Sequence, residues 1–74
     1  ELAAEAFALE VDLVVRRVVE TPERYAAHLK GTRRALFPRY PFSLIYRVSP
    51  EVIEIVAVAH QRRRPGYWRS RRAS

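Results

Sequence analysis

The sequence predicts an α+β domain in which a long helix and a short helix pack on a three-stranded antiparallel β-meander. Three observations predict it: helical spacing of apolar residues near the amino terminus, a change to period-two alternation after Gly31, and turn chemistry between the later segments. At 74 residues, 49% of them hydrophobic, the chain has material for one core, so residues 1–74 are expected to form a single domain. It has no cysteine. Neither disulfides nor a thiolate metal site can staple the fold, so packing or a partner chain must stabilise it.

From Leu2 to Val19, Phe7, Val11, Val14 and Val18 recur at i, i+4, i+7 and i+11, while Glu1, Glu5, Asp12 and Arg16 occupy another face. That spacing is an amphipathic helix. Thr21-Pro22-Glu23 reads as a stop and restart, because threonine caps amides, proline suits a first helical position and an early acid complements the dipole. A short helix is expected over 22–29, ended by Gly31, with Lys30 favourably placed near its carboxyl end.

Beyond Gly31 the chain reads as extended. Pro38 and Pro41 restrict the segment 33–40 to an edge or irregular strand. In 42–48, Phe42, Leu44, Tyr46 and Val48 fall on one side, with Ser43, Ile45 and Arg47 on the other. Ser49-Pro50-Glu51 supplies a turn, and 52–59 is apolar on both faces apart from Glu54, which predicts a central strand.

The net charge of +6 is unevenly distributed: residues 1–29 hold six acids and three arginines, and residues 30–74 hold eleven basic and two acidic side chains. Such asymmetry points to an anionic partner. Thirteen of the fourteen basic residues are arginine, suited to bidentate contact with phosphate or carboxylate. Arg62, Arg63 and Arg64, followed by Tyr67 and Trp68, form the densest basic and aromatic cluster, and Arg33, Arg34, Arg39 and Arg47 extend it if strand pairing gathers them. His60 closes the last strand, either as an acid-base or phosphate-donating group or as a hydrogen-bonded strand end. His28 reads as ordinary surface. Two histidines without cysteine do not suggest a metal site, and no cofactor motif is present. Glu51 and Glu54 do not form a glycosidase-like pair, and the serines lack a nucleophile elbow. No apolar run reaches the length of a membrane helix and no export signal is evident, so a soluble, cytoplasmic protein is expected.

The series Thr-Pro-Glu-Arg-Tyr (Thr21–Tyr25), Arg-Arg-Ala-Leu-Phe (Arg33–Phe37), Pro-Phe-Ser-Leu-Ile-Tyr-Arg-Val (Pro41–Val48) and Ile-Val-Ala-Val-Ala-His-Gln-Arg-Arg (Ile55–Arg63) resembles the RelE/ParE superfamily of toxin-antitoxin toxins. The ending Arg64-Pro65-Gly66-Tyr67-Trp68-Arg69 is similar to its ParE-like, plasmid stabilization branch. The order and spacing of these segments across nearly the whole chain carry the resemblance. Members generally begin with a further strand and helix, so the chain is expected to lack these and to leave a sheet edge open to another chain.

The resemblance implies a toxin neutralised by an acidic antitoxin in a hetero-oligomer. RelE-like members cleave messenger RNA on the ribosome; ParE-like members are known for poisoning DNA gyrase. Under the ribonuclease alternative Arg62 and Tyr67 are the catalytic candidates. Ser43, however, stands where the RNA-cleaving branch carries an arginine, which favours the ParE-like branch and points away from an enzyme. The expected target-binding residues are then Arg33, Arg34, Arg47, His60, Arg62, Arg63, Arg64, Tyr67 and Trp68. A non-toxic remnant that still binds an antitoxin is the third alternative.

Overall fold

The computed structural model describes residues 2–62. The apolar stripe of the amino-terminal segment produces helix α1 (Leu2–Glu20), whose inward residues Val14 and Val18 are buried. On its outer surface Arg16 donates to Asp12 at 2.8 Å, an exposed i, i+4 pair that contributes only a few tenths of a kcal/mol.

The short helix expected over 22–29 is replaced by one 3-10 turn, Pro22–Arg24, followed by a two-residue strand β1 (Ala26–Ala27). Tyr25 is already extended (φ −90°, ψ 159°). The Arg33 guanidinium donates to the carbonyls of Tyr25 at 2.7 Å and Glu23 at 3.4 Å, engaging acceptors that a continuing helix would offer to its own amides. Thr21 does not cap this turn; its hydroxyl donates back to the Arg17 carbonyl at 3.4 Å, closing the end of α1. A second 3-10 turn, Leu29–Gly31, places Lys30 (φ 54°) and Gly31 (φ 74°) in the left-handed region, which glycine tolerates best. Thr32 closes it through a backbone bond to the Leu29 carbonyl.

Strands β2 (Arg33–Leu36), β3 (Phe42–Val48) and β4 (Ile53–His60) complete a four-stranded antiparallel sheet in the order β1-β2-β3-β4. The α+β class is as predicted, with β1 as an additional strand. The segment 33–40 forms a strand only through Leu36, and Arg33 and Arg34 pair with β1 on one side and β3 on the other. The central strand is β3, with β2 and β4 as its neighbours; β4 is not central, and among the described residues it pairs with β3 alone. A bulge explains part of its two-sided apolarity. Ala57 opposes Ile45 and Ile55 opposes Tyr46, which leaves Val56 as the inserted residue, packed beside Ile45 on the face away from α1.

Helix α1 lies across β2 and β3. Val14, Val18, Ala35, Phe37, Leu44 and Tyr46 form the buried core, bordered by Phe7, Val11, Val15, Phe42, Val48 and Ile53. Phe7 stacks on Phe37 (centroids 5.7 Å apart) and meets Tyr40 and Phe42 edge-on at 5.3 Å each. Such pairs add about 0.5–1.5 kcal/mol each beyond area burial, which matters in so small a domain. No described helix is long and apolar enough to cross a membrane.

Candidate partner-binding surface

Strand alternation decides where the arginines of the sheet can act. Ala35 faces the core under α1, so Arg33 shares that face, and Arg34 and Leu36 lie on the other with Ser43, Ile45 and Arg47. The expected grouping of Arg33 with Arg34 and Arg47 is therefore divided between faces. Arg33 is half-buried and holds the 3-10 turn to β2 through its two carbonyl contacts. Arg47 donates to Glu54 across the β3–β4 pair at 3.0 Å, with both side chains well exposed. Arg34 is exposed and has no ion pair among the described residues.

Arg34 also acts on His28. Burial, and secondarily the Arg34 charge, hold this histidine below its ordinary pKa. His28 is half-buried before the second 3-10 turn, and its amide donates to the Thr32 carbonyl at 2.8 Å. It thus carries more structural constraint than ordinary surface.

Ser43 lies on β3 opposite Leu36 and Ala59. It is only 2% exposed, and its hydroxyl has no hydrogen-bond partner among the described residues. A short buried hydroxyl here provides neither charge nor an outward-reaching donor to a passing phosphate.

His60 ends β4 opposite Phe42, and the two rings meet edge-on at 5.1 Å. Its Nδ1 accepts the Arg62 backbone amide at 3.0 Å, which assigns the ring proton of a neutral imidazole to Nε2. Gln61 pins the same corner, its amide donating to the Pro41 carbonyl and its side chain to that of Phe42, both at 2.8 Å. Arg62 is exposed immediately beyond this anchor. Arg63, Arg64, Tyr67 and Trp68 lie outside the described residues.

One group essential to this geometry was not singled out from the sequence. Glu10 is 6% exposed, and its carboxylate accepts the amides of Arg39 at 2.7 Å and Tyr40 at 3.3 Å. The signal available was an acid at Glu10, one position before Val11 of the apolar stripe; its partners lie about thirty residues away and leave no local pattern. Among the described residues no three His, Cys, Asp or Glu side chains converge on one point.

Among the described residues these features define a helix packed on a sheet, with guanidinium groups at strand ends and turns. The chain matches, over residues 1–65, the model of the family described as ParE toxin of type II toxin-antitoxin system, parDE, and it belongs to that family. Comparisons with curated proteins and with solved structures found no match. The family makes the chain a type II toxin-antitoxin toxin, with an antitoxin as its partner.

Proposed function

We propose that this toxin acts by binding its target, DNA gyrase by resemblance to the ParE-like branch, and that an acidic antitoxin neutralises it. Ser43 is the observation that carries this reading: its hydroxyl is buried and has no hydrogen-bond partner among the described residues, at the position where the resemblance implies an arginine in the RNA-cleaving branch. Cleavage without a metal needs fixed cations around the phosphorane and groups to move two protons. Two sheet arginines are already engaged, Arg33 with main-chain carbonyls and Arg47 with Glu54, and Nδ1 of His60 is occupied by the Arg62 amide.

The target-contacting set in this reading is His60 and Arg62 at the end of β4, with Arg63, Arg64, Tyr67 and Trp68 following in the sequence, whereas Arg34 lies on the other face of the sheet and does not group with them. Arg33 is a scaffold residue, and Arg47 reaches a target by exchanging Glu54 for another carboxylate or phosphate.

Controlled expression in a bacterial host tests this. Growth should stop with DNA-damage signalling while bulk message stays intact, and combined replacement of Arg62, Arg63 and Arg64 by glutamine should relieve the arrest. Rapid loss of translated messages, abolished by Arg62→Ala, would instead support the ribonuclease alternative. Harmless expression of a well-folded chain would support the antitoxin-binding remnant.

A further inference from the structure

The β2–β3 connection and the end of β4 meet at one corner of the sheet, and each brings an exposed arginine to it. Gln61 makes the junction: its amide donates to the Pro41 carbonyl and its side chain to the Phe42 carbonyl, both at 2.8 Å. Arg39 lies two residues before Pro41 on one side of this seam, and Arg62 follows Gln61 on the other. Both backbones are fixed. The Arg39 amide donates to the Glu10 carboxylate at 2.7 Å and the Arg62 amide to Nδ1 of His60 at 3.0 Å, while neither guanidinium forms an ion pair among the described residues. Glu10 itself is buried and engaged with the Arg39 and Tyr40 amides. Acids lie at the opposite end of the same strands: Glu54 pairs with Arg47, and Glu51 and Glu23 line one depression beside the β3–β4 turn. Every charged residue after Glu54 in the sequence is an arginine, six of them between Arg62 and Arg72.

We propose that the corner formed by Arg39 and Arg62 binds the phosphate backbone of duplex DNA without reading its sequence. Planar guanidinium forks suit phosphate oxygens, and the acids at the far end of the strands turn this corner toward a polyanion first. Protein interfaces are anchored by large apolar side chains, and none of the exposed ones among the described residues belongs to the segments 37–42 or 60–62. Single-strand binders offer aromatic faces to bases. The described rings at this end of the sheet, Phe7, Phe37, Tyr40 and Phe42, instead pack on one another. A duplex, with one charge per about 1.7 Å of axis, also presents twice the phosphate density of a single strand. The proposal goes beyond the gyrase reading and does not depend on it. Where both hold, the toxin is anchored on the substrate of the enzyme it blocks, which raises its effective concentration there.

Fluorescence anisotropy of the full chain with a short labelled DNA duplex of mixed sequence, measured across a salt series, tests this. The logarithm of affinity should fall linearly with that of salt concentration, each neutralised phosphate contributing about 0.9 to the slope. Arg39→Gln, which keeps the backbone bond to Glu10, should weaken binding severalfold at low salt and reduce the slope by about 0.9. Arg39→Lys should keep the slope, and Arg39→Gln combined with Arg62→Gln should reduce it by about 1.8. Arg16→Gln removes the same formal charge from the outer surface of α1 and should leave the slope unchanged. The duplex should bind more tightly than single-stranded DNA or RNA of the same sequence, and more tightly than polyglutamate. Circular dichroism confirms that each variant is folded. The proposal is overturned by absence of salt-dependent duplex binding, by a slope that Arg39→Gln leaves intact or that Arg16→Gln lowers equally, or by a single strand or polyglutamate binding as tightly as the duplex. Supercoiling plays no part in this readout, so gyrase inhibition by a chain that does not bind DNA leaves the proposed function standing, and DNA binding by a chain that spares gyrase leaves this corner standing.

Discussion

Glu10 holds Arg39 by its backbone: the buried carboxylate of the helix accepts the Arg39 amide at 2.7 Å, with the Tyr40 amide alongside at 3.3 Å. The connection between β2 and β3 contains Pro38 and Pro41 and has few ladder bonds, so its free amides need an acceptor. The helix supplies it. This contact positions Tyr40 and Phe42 against Phe7 and thereby sets the start of β3.

Replacing Glu10 by alanine should destabilise the domain by about 1.5–3 kcal/mol, because it leaves two amides without their charged acceptor. Glu10→Gln, which keeps an oxygen but not the charge, should cost less. Urea denaturation followed by circular dichroism measures both, and an unchanged midpoint for Glu10→Ala would contradict the role given to this carboxylate.

Tyr46 is buried in the core, and its hydroxyl donates to the Pro22 carbonyl at 2.6 Å. Burial pushes the phenol up from its ordinary pKa, partly countered by the Arg33 charge. The folded value thus lies above the unfolded one of about 10, so this contribution to stability is complete below that pH and is lost as pH rises through the folded value. Tyr46→Phe should lower stability by about 1 kcal/mol at neutral pH and flatten the alkaline limb of the stability curve. Melting temperatures across neutral and alkaline pH provide the comparison.

Arg33 and Arg34 are neighbours in sequence with opposite predicted behaviour. Arg33→Ala should cost about 1–2 kcal/mol, since it removes the donor shared by the Tyr25 and Glu23 carbonyls, whereas Arg34→Gln should leave stability nearly unchanged. The Arg34 change should instead raise the pKa of His28, which an NMR titration of the imidazole reads directly. For His28 the folded pKa is depressed, so its contribution to stability is present above the unfolded value of about 6.5 and is lost as pH falls through the folded one.

Ser43→Ala removes a buried hydroxyl that has no partner among the described residues, and its effect should lie within about 1 kcal/mol of zero or be stabilising. Toxicity should be retained, because the reading assigns Ser43 no contact with the target. Expression of the Ser43→Ala chain at matched abundance checks this, and loss of growth arrest would give the hydroxyl a role it lacks here.

The parts of the fold carried by periodicity were legible in the sequence. The stripe Phe7, Val11, Val14, Val18 predicts α1, and the alternation of Phe42, Leu44, Tyr46 and Val48 predicts the core face of β3. The short second helix was not, because the helix-start chemistry of Thr21-Pro22-Glu23 is real but local, and it is overridden by Arg33 from ten residues downstream of Glu23. The position of β4 was misread for a related reason. Apolar side chains on both faces usually mean a strand between two others, but here a bulge at Val56 shifts the alternation, and Ile55 and Val58 remain partly exposed. For the candidate surface, composition pointed to an anionic partner. Strand register then assigned Arg33 to the scaffold and Arg34 to the surface, a distinction of one residue that charge counting does not make.

The central claim is that this toxin works by seizing a protein target rather than by cutting RNA, and a gyrase supercoiling assay with the purified chain tests it most directly. Inhibition that rises with toxin concentration and disappears when Arg62, Arg63 and Arg64 are replaced together is the predicted result. Undiminished supercoiling at saturating toxin, with messages cleaved in a translating extract by the same preparation, would contradict it.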